Sequence, residues 1–542
     1  MMKKLITLLL VLSMVLTSFV GCGSEDEVSN DNVGGSTEVA SDIFNKEGYP
    51  IVNEEYTIKI VQLLPDSRNL KAPDEITAVQ MLEEQTGINI EWEQIRQSDW
   101  DTKLSLLFAS EEYPDIILIG AAGAENMNIE NYGVTQGILL PLDDLIAEYM
   151  PNYSSRIAME ATDPTEALRA SDGKMYTLGY MIGSGYKTGS HFYINQTWLD
   201  TLKLETPETP EQLTEVLRAF KTQDPNGNGE VDEIPFASCN EFDFLCLFGL
   251  TNPYDYRWMR IDDNKQVQFV PTEDNFRACV EWMHELYEEE LIDPEMFSQD
   301  WDTYCSKLQN EKCGMFIEWR LKNSNFMNAA DDCVLWVPGG DATFTHTISS
   351  AEPGAFITVG CEHPEIAARL LDTMIQDDIM FSAYIGAQGD PYIGWDYSAD
   401  GKLEMYEYMD QEGYDQYMSE PWNFMNTAWL NFVPGNYYQE HYVMSTDWLD
   451  KTEYCNAYDA AGIIEKYASD YLLRVKFTST EEEELNRRFV DIDTYTQEHW
   501  VTFIQKGVTD ESWNEFVKGY EDMNVAELVQ KYQAGIDSMN IQ

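Results

Sequence analysis

An alternation of short strands with short helices constrains this chain more than any other feature, because it commits the backbone to layered α/β packing. Tyr56 to Val61 reads YTIKIV, an alternating β-favouring run, and residues 74–86 (DEITAVQMLEEQT) place Ile76, Val79 and Leu82 three apart before Gly87. Asp74 is expected to cap that helix and Gly87 to end it, after which Ile88, Ile90 and Trp92 alternate as a second strand. Ser98 is expected to cap a helix carrying Trp100, Leu104, Leu107 and Phe108, and Asp115 to Gly120 (DIILIG) reads as a buried strand. Ligands in open α/β sheets sit at the carboxyl ends of strands, so the small residues of Gly120 to Asn128 (GAAGAENMN) form a candidate binding loop. Downstream, Thr209, Pro210 and Gln212 give a T-x-x-Q helix start ahead of the apolar stripe Leu213, Val216, Leu217 and Phe220. The last hundred residues read as helices packed around a lobe.

The first fifty residues concern place rather than fold. Lys3 and Lys4 precede an apolar run from Leu5 to Val20, shorter than the roughly 20 residues a spanning helix needs. A basic start followed by such a run is a secretory signal. Phe19-Val20-Gly21-Cys22 resembles a bacterial lipobox with Phe where Leu is usual, so residues 1–21 are expected to be removed and Cys22 lipidated. Residues 22–50 are small, polar and acidic, and read as a disordered tether on a lipid anchor at the extracellular face of a Gram-positive type cell. With 34 Lys+Arg against 96 Asp+Glu the formal net charge is −62, which repels phosphate backbones and argues against any nucleic-acid partner. Eight cysteines follow Cys22 without a C-x-x-C pair, so buried thiols are expected for most.

Residues 224–236 read DPNGNGEVDEIPF. Asp224, Asn226, Asn228 and Asp232 put side-chain oxygens two apart around Gly229, and Glu230 offers its backbone carbonyl, as a hard cation requires. The spacing follows an EF-hand loop through its ninth position. The twelfth is Pro235, so Glu233 at the tenth must supply the last carboxylate. An Asn-Gly-rich acidic turn has a similar composition. The expected cation is calcium in a structural role.

The stretch from Tyr193 to Pro235 (YINQTWLDTLKLETPETPEQLTEVLRAFKTQDPNGNGEVDEIP) resembles the family 1 extracellular solute-binding proteins of ABC importers, in particular the large Gram-positive lipoproteins and the alginate-oligosaccharide binders. Asn195, Trp198 and Leu199 precede a capped helix and then a D-x-N-x-N-G-x-x-D-E loop, as in that family. SDWDTKLSLLFASEEYPDII at 98–117, GILLPLDDLI at 137–146 and GMFIEW at 314–319 add weaker echoes. The resemblance implies an α/β, two-lobed periplasmic-binding-protein type II fold with a hinge and an interlobe ligand cleft. It also implies capture of a carbohydrate for delivery to an ABC transporter permease, by a monomer. The lobes are expected at 51–185 plus 340–420 and at 186–339 plus 421–542.

A sugar presents an apolar face ringed by hydroxyls, so its site wants aromatic platforms beside carboxylates and amides. Trp258, Trp319, Trp395, Trp422 and Trp429 stand in loop-like contexts and are the candidate platforms, a core tryptophan being the alternative for each. Glu318 and Arg320 flank Trp319 as hydrogen-bonders, and Tyr186, with Tyr180 and His191, lies around the Gly183 to Gly189 loop. The acidic field favours a neutral oligosaccharide over uronates. The competing readings are a secreted glycoside hydrolase or lyase, and a binder of peptides or other small molecules. Among 96 carboxylates no acid/base pair can be singled out, and no G-x-S-x-G, H-E-x-x-H, P-loop or dinucleotide fingerprint occurs. The expectation is a non-enzyme.

Overall fold

The computed structural model describes residues 43–541 apart from 67–68, 121–126, 161–162, 183–190, 231, 240, 251–256, 311, 319–320, 322–331, 345–350, 390–393, 406–420, 422–424, 426–427, 444–453, 455, 465, 467–468 and 540. The first sheet opens with β1 (Tyr56–Leu64), β2 (Ile88–Arg96), β3 (Ile116–Leu118) and β4 (Leu178–Ile182). The chain then enters a second sheet through β5 (His191–Asn195) and β6 (Ile234–Ala237), makes a hairpin of β7 (Met259–Ile261) and β8 (Val267–Phe269), and adds β9 (Cys313–Glu318) and β10 (Cys333–Leu335). It returns to the first sheet as β11 (Glu352–Ile357), forms the hairpin β12 (Trp395–Tyr397) and β13 (Leu403–Met405), and pairs β14 (Phe432–Val433) at the edge. The six-stranded order is β14-β4-β11-β3-β1-β2, and the four-stranded order is β10-β5-β9-β6.

β1 and β2 run parallel from Tyr56↔Ile88 to Leu64↔Arg96, the expected β-α-β unit. Ile58, Ile60, Val61 and Leu63 are all fully buried, the near-continuous apolar run of a strand covered on both faces. The intervening helix, Thr77–Thr86, buries Val79 and Leu82 and ends at Gly87 with φ 73°, a left-handed conformation that glycine adopts without strain. Its start differs from the sequence expectation. Asp74 lies in a separate 3-10 turn, Pro73–Glu75, and Ile76 stands at the cap without a side-chain bond. Ser98 likewise does not cap the helix Trp100–Ala109, because its backbone N–H and hydroxyl are both taken by Asp66 at 3.1 and 3.0 Å. Thr209 does cap Pro210–Thr222, accepting from the Gln212 N–H, while the Gln212 side-chain Oε1 accepts from Glu208 N–H at 2.7 Å.

Each sheet has its own core. Ile60, Leu118, Leu178 and Phe432 pack with the helix Pro364–Met374 on the six-stranded sheet. Phe192, Phe236, Met315 and Ile317 pack on the four-stranded sheet together with the terminal helices Ser479–Lys506, Asp510–Asp522 and Val525–Ser538. Those helices bring Trp500, Phe516, Tyr520 and Leu528 into the interior. The chain therefore passes between the sheets after β4, after β10 and again after β14. The last passage is pinned by Arg156, which is 3% exposed at its side chain. Its guanidinium donates to the Phe432 carbonyl at 2.6 Å and to Asp377 at 2.8 Å, and it lies 4.2 Å from the centre of the Tyr437 ring. No helix among the described residues is long and apolar enough to cross a membrane, and the seven cysteines described are free thiols.

Candidate functional site

The helix Pro210–Thr222 delivers the chain straight into the acidic loop. Asp224 takes φ 46°, and Gly227 and Gly229 take φ 70° and 80°, so the backbone curls around the side chains. Asp224 accepts from the N–H groups of Asn228 and Gly229, each at 3.0 Å, and Asn228 Oδ1 accepts from Glu230 N–H at 2.7 Å. Asp232 accepts from the Asn228 amide at 3.0 Å and from Lys312 Nζ at 2.5 Å, and this bond to Lys312 holds its carboxyl below the usual range. Glu233 is different: both carboxylate oxygens are buried and meet no hydrogen-bond donor. Burial pushes its pKa up, and the charges of Asp224 and Asp232 add to the shift.

A buried carboxylate without partners is costly unless something positive meets it. The loop supplies carboxylates, amides and a backbone carbonyl, an all-oxygen set suited to a hard cation of the calcium type. Glu233 stands where that set lacks its last member, so these residues fit calcium. No group of three or more His, Cys, Asp or Glu placed to hold a metal is found among the described residues.

The second candidate region lies where the chain passes between the sheets. β4 ends at Ile182 and β5 begins at His191, which pairs in register with Glu318, the last residue of β9. Glu318 is 5% exposed and His191 is 1% exposed. His191 Nδ1 lies 3.3 Å from the Tyr458 hydroxyl, and its ring is 5.1 Å from that of Tyr454. On the six-stranded side Tyr180 in β4 is hydrogen-bonded to Asn431, next to β14, and burial raises its phenol pKa. Tyr454, Tyr458 and Asn431 are separated from their partners by more than two hundred residues, so no local pattern marked them.

The candidate platforms divide. Trp319, Arg320, Trp422 and Tyr186, and the lipidation candidate Cys22, lie outside the described residues. Trp258, Trp395 and Trp429 are 1%, 2% and 0% exposed, which corrects the expectation of open stacking faces at these three positions. Trp258 follows Arg257 with both residues in the left-handed region, at φ 57° and 62°. That turn drives its ring against Phe242, 4.9 Å away, and aims its N–H at Asp493, 3.0 Å away. Trp395 packs edge-on to Phe381. Trp429 stacks 6.3 Å from Trp92 and donates to the Met374 carbonyl at 3.0 Å. Trp258 belongs to the core of the four-stranded sheet and the other two to that of the six-stranded sheet, so they are not brought together.

Known proteins match this chain in family, sequence and structure. A family model described as bacterial extracellular solute-binding protein matches residues 71–380. The fructooligosaccharide ABC transporter substrate-binding protein FusA of Streptococcus pneumoniae is 31% identical over 380 residues, 67% of this chain and 67% of that protein. The structure of FusA with kestose matches with TM-score 0.75 at 23% identity, over 89% of this chain and 99% of the other. Its EF-hand mutant with fructo-nystose matches with TM-score 0.72 at 24% identity, over 89% and 99%. An extracellular solute-binding protein from Bifidobacterium longum subsp. infantis matches with TM-score 0.75 at 19% identity, over 89% and 98%.

Proposed function

The chain belongs to the bacterial extracellular solute-binding proteins and has their two-lobed type II fold, and from that premise we propose that it captures a neutral oligosaccharide for an ABC importer. The observation that carries this reading is the 31% identity over 380 residues to a fructooligosaccharide-binding protein of that transporter class. We propose one lobe on the six-stranded sheet and one on the four-stranded sheet, closing over the ligand where the chain passes between them. Glu318 beside His191 is the proposed hydrogen-bonding centre, with Tyr186, Trp319, Arg320 and Trp422 as further proposed contacts. The protein acts as a monomer, held at the extracellular face of the cell membrane by acylated Cys22, and passes its cargo to the permease without altering it.

Incubation with kestose and longer neutral oligosaccharides tests this reading. The sugar should be recovered intact by mass spectrometry while solution scattering reports a more compact particle. Shortened products would replace the binding reading with a hydrolase or lyase.

Asp224, Asn226, Asn228, the Glu230 carbonyl, Asp232 and Glu233 are proposed to hold calcium. The ion would cross-link the loop between the helix Pro210–Thr222 and β6, and its support is the partnerless Glu233 carboxylate. Asp224→Ala should remove the calcium-dependent part of the stability, about 2.7 kcal/mol when calcium stands at 100 times its dissociation constant. The chelated protein should change little. Equal losses in melting temperature with and without calcium would eliminate the ion as the cause.

A further inference from the structure

The geometry points to Lys312 as a built-in competitor that sets the calcium affinity of the loop, an inference that rests on the calcium reading above. Lys312 is not part of the loop and lies eighty residues beyond Asp232. It is brought there by strand pairing: β6 runs parallel to β9 with Ile234 opposite Cys313, and Ile234 N–H donates to the Lys312 carbonyl at 2.8 Å. That pairing fixes the Lys312 backbone beside Glu233 and Ile234, from which its ammonium reaches Asp232 Oδ2 at 2.5 Å. The other Asp232 oxygen is held by the Asn228 amide at 3.0 Å. Both oxygens of one proposed ligand are thus occupied by N–H donors, whereas both oxygens of Glu233 have none.

A cation entering this loop must displace a donor from Asp232 or share the carboxylate with it. In either case a fixed positive charge lies within a few ångströms of a doubly charged ion, and their repulsion weakens binding. A unit charge about 6 Å from a divalent ion in water-like surroundings corresponds to roughly tenfold in affinity. The Lys312 side chain is 42% exposed, so the effect must shrink as salt screens it. Without metal the same ammonium offsets the mutual repulsion of Asp224, Asp232 and Glu233. Lys312 therefore flattens the difference between the two states of the loop: it stabilises the metal-free form and lowers the affinity of the loaded one.

Calorimetric titration of calcium chloride into the chelator-stripped full chain tests this, comparing wild type with Lys312→Met, Lys312→Arg and Asp224→Ala at low and high salt. Lys312→Met should bind calcium about tenfold more tightly at low salt, with the gap closing at high salt. Lys312→Arg, which keeps the charge, should match wild type. The metal-free Lys312→Met protein should melt below metal-free wild type. Unchanged or weaker calcium binding by a folded Lys312→Met protein overturns the proposal, as does a tighter Lys312→Arg variant. Undiminished binding by Asp224→Ala would instead overturn the calcium reading itself, so the two failures are distinct.

Discussion

Arg156→Ala should destabilise the folded chain by about 3 kcal/mol, because it removes a buried guanidinium from a partly buried carboxylate, 25% exposed at its side chain, and from a backbone carbonyl together. The partner left behind is Asp377, which also receives the hydroxyls of Tyr437 and Tyr442 at 3.0 and 2.9 Å. The Phe432 carbonyl would lose its 2.6 Å donor in the same step. Phe432 begins β14, which pairs with β4 through Phe432↔Met181 and Val433↔Ile182, just before the chain crosses to the second sheet. The substitution thus loosens a strand at the proposed hinge as well as the helix Asp377–Tyr384. Arg156→Lys should recover only part of the loss, since an ammonium cannot serve the carbonyl, the carboxylate and the Tyr437 face in one fork-like arrangement. Chemical denaturation of the three proteins gives the comparison. A loss below about 1 kcal/mol for Arg156→Ala would place this pair among ordinary surface ion pairs.

Trp429→Ala should cost about 3–5 kcal/mol, the range for emptying a buried aromatic site. Its indole has no exposed surface, lies against Trp92 and bonds to the Met374 carbonyl. The expected signature is a lower melting temperature whether or not sugar is present. Trp429→Phe should lose less, keeping most of the packing while leaving the Met374 carbonyl without its donor. Unchanged stability combined with abolished oligosaccharide binding would restore Trp429 as a stacking platform and contradict its placement in the core.

Local signals carried far in this sequence where the physics is local. The run YTIKIV extends into β1 because Ile58, Ile60 and Val61 can all be buried between layers, and Gly87 ends its helix because no side chain opposes a positive φ. The turn at Asp224 was legible for the same reason: the groups that close it, the Asp224 carboxylate and the N–H groups of Asn228 and Gly229, are neighbours in sequence. Caps were less legible. Ser98 has the right chemistry for a helix start, yet Asp66, thirty-two residues away, claims both its donors. Asp74 was drawn into a turn by the adjoining Pro73.

The burial of Trp258, Trp395 and Trp429 escaped the sequence for a related reason. Loop-like sequence around Trp258 suggested exposure, but its polar partner Asp493 lies on a terminal helix 235 residues later. Lys312 shows the same limit at the acidic loop proposed to hold calcium, since only the β6–β9 register brings it to Asp232. His191 and Glu318 were singled out separately, and their pairing across β5 and β9 appears only once the sheet is assembled.

Thermal unfolding of the full chain in calcium, against neutral oligosaccharides, uronate oligosaccharides, monosaccharides and short peptides, tests the central claim most directly. A ligand bound only by the folded state at 100 times its dissociation constant adds about 2.7 kcal/mol of stability. The account predicts a clear rise in melting temperature with neutral oligosaccharides such as kestose, and little or none with uronates or peptides. A rise with peptides alone, and none with any sugar, would contradict it.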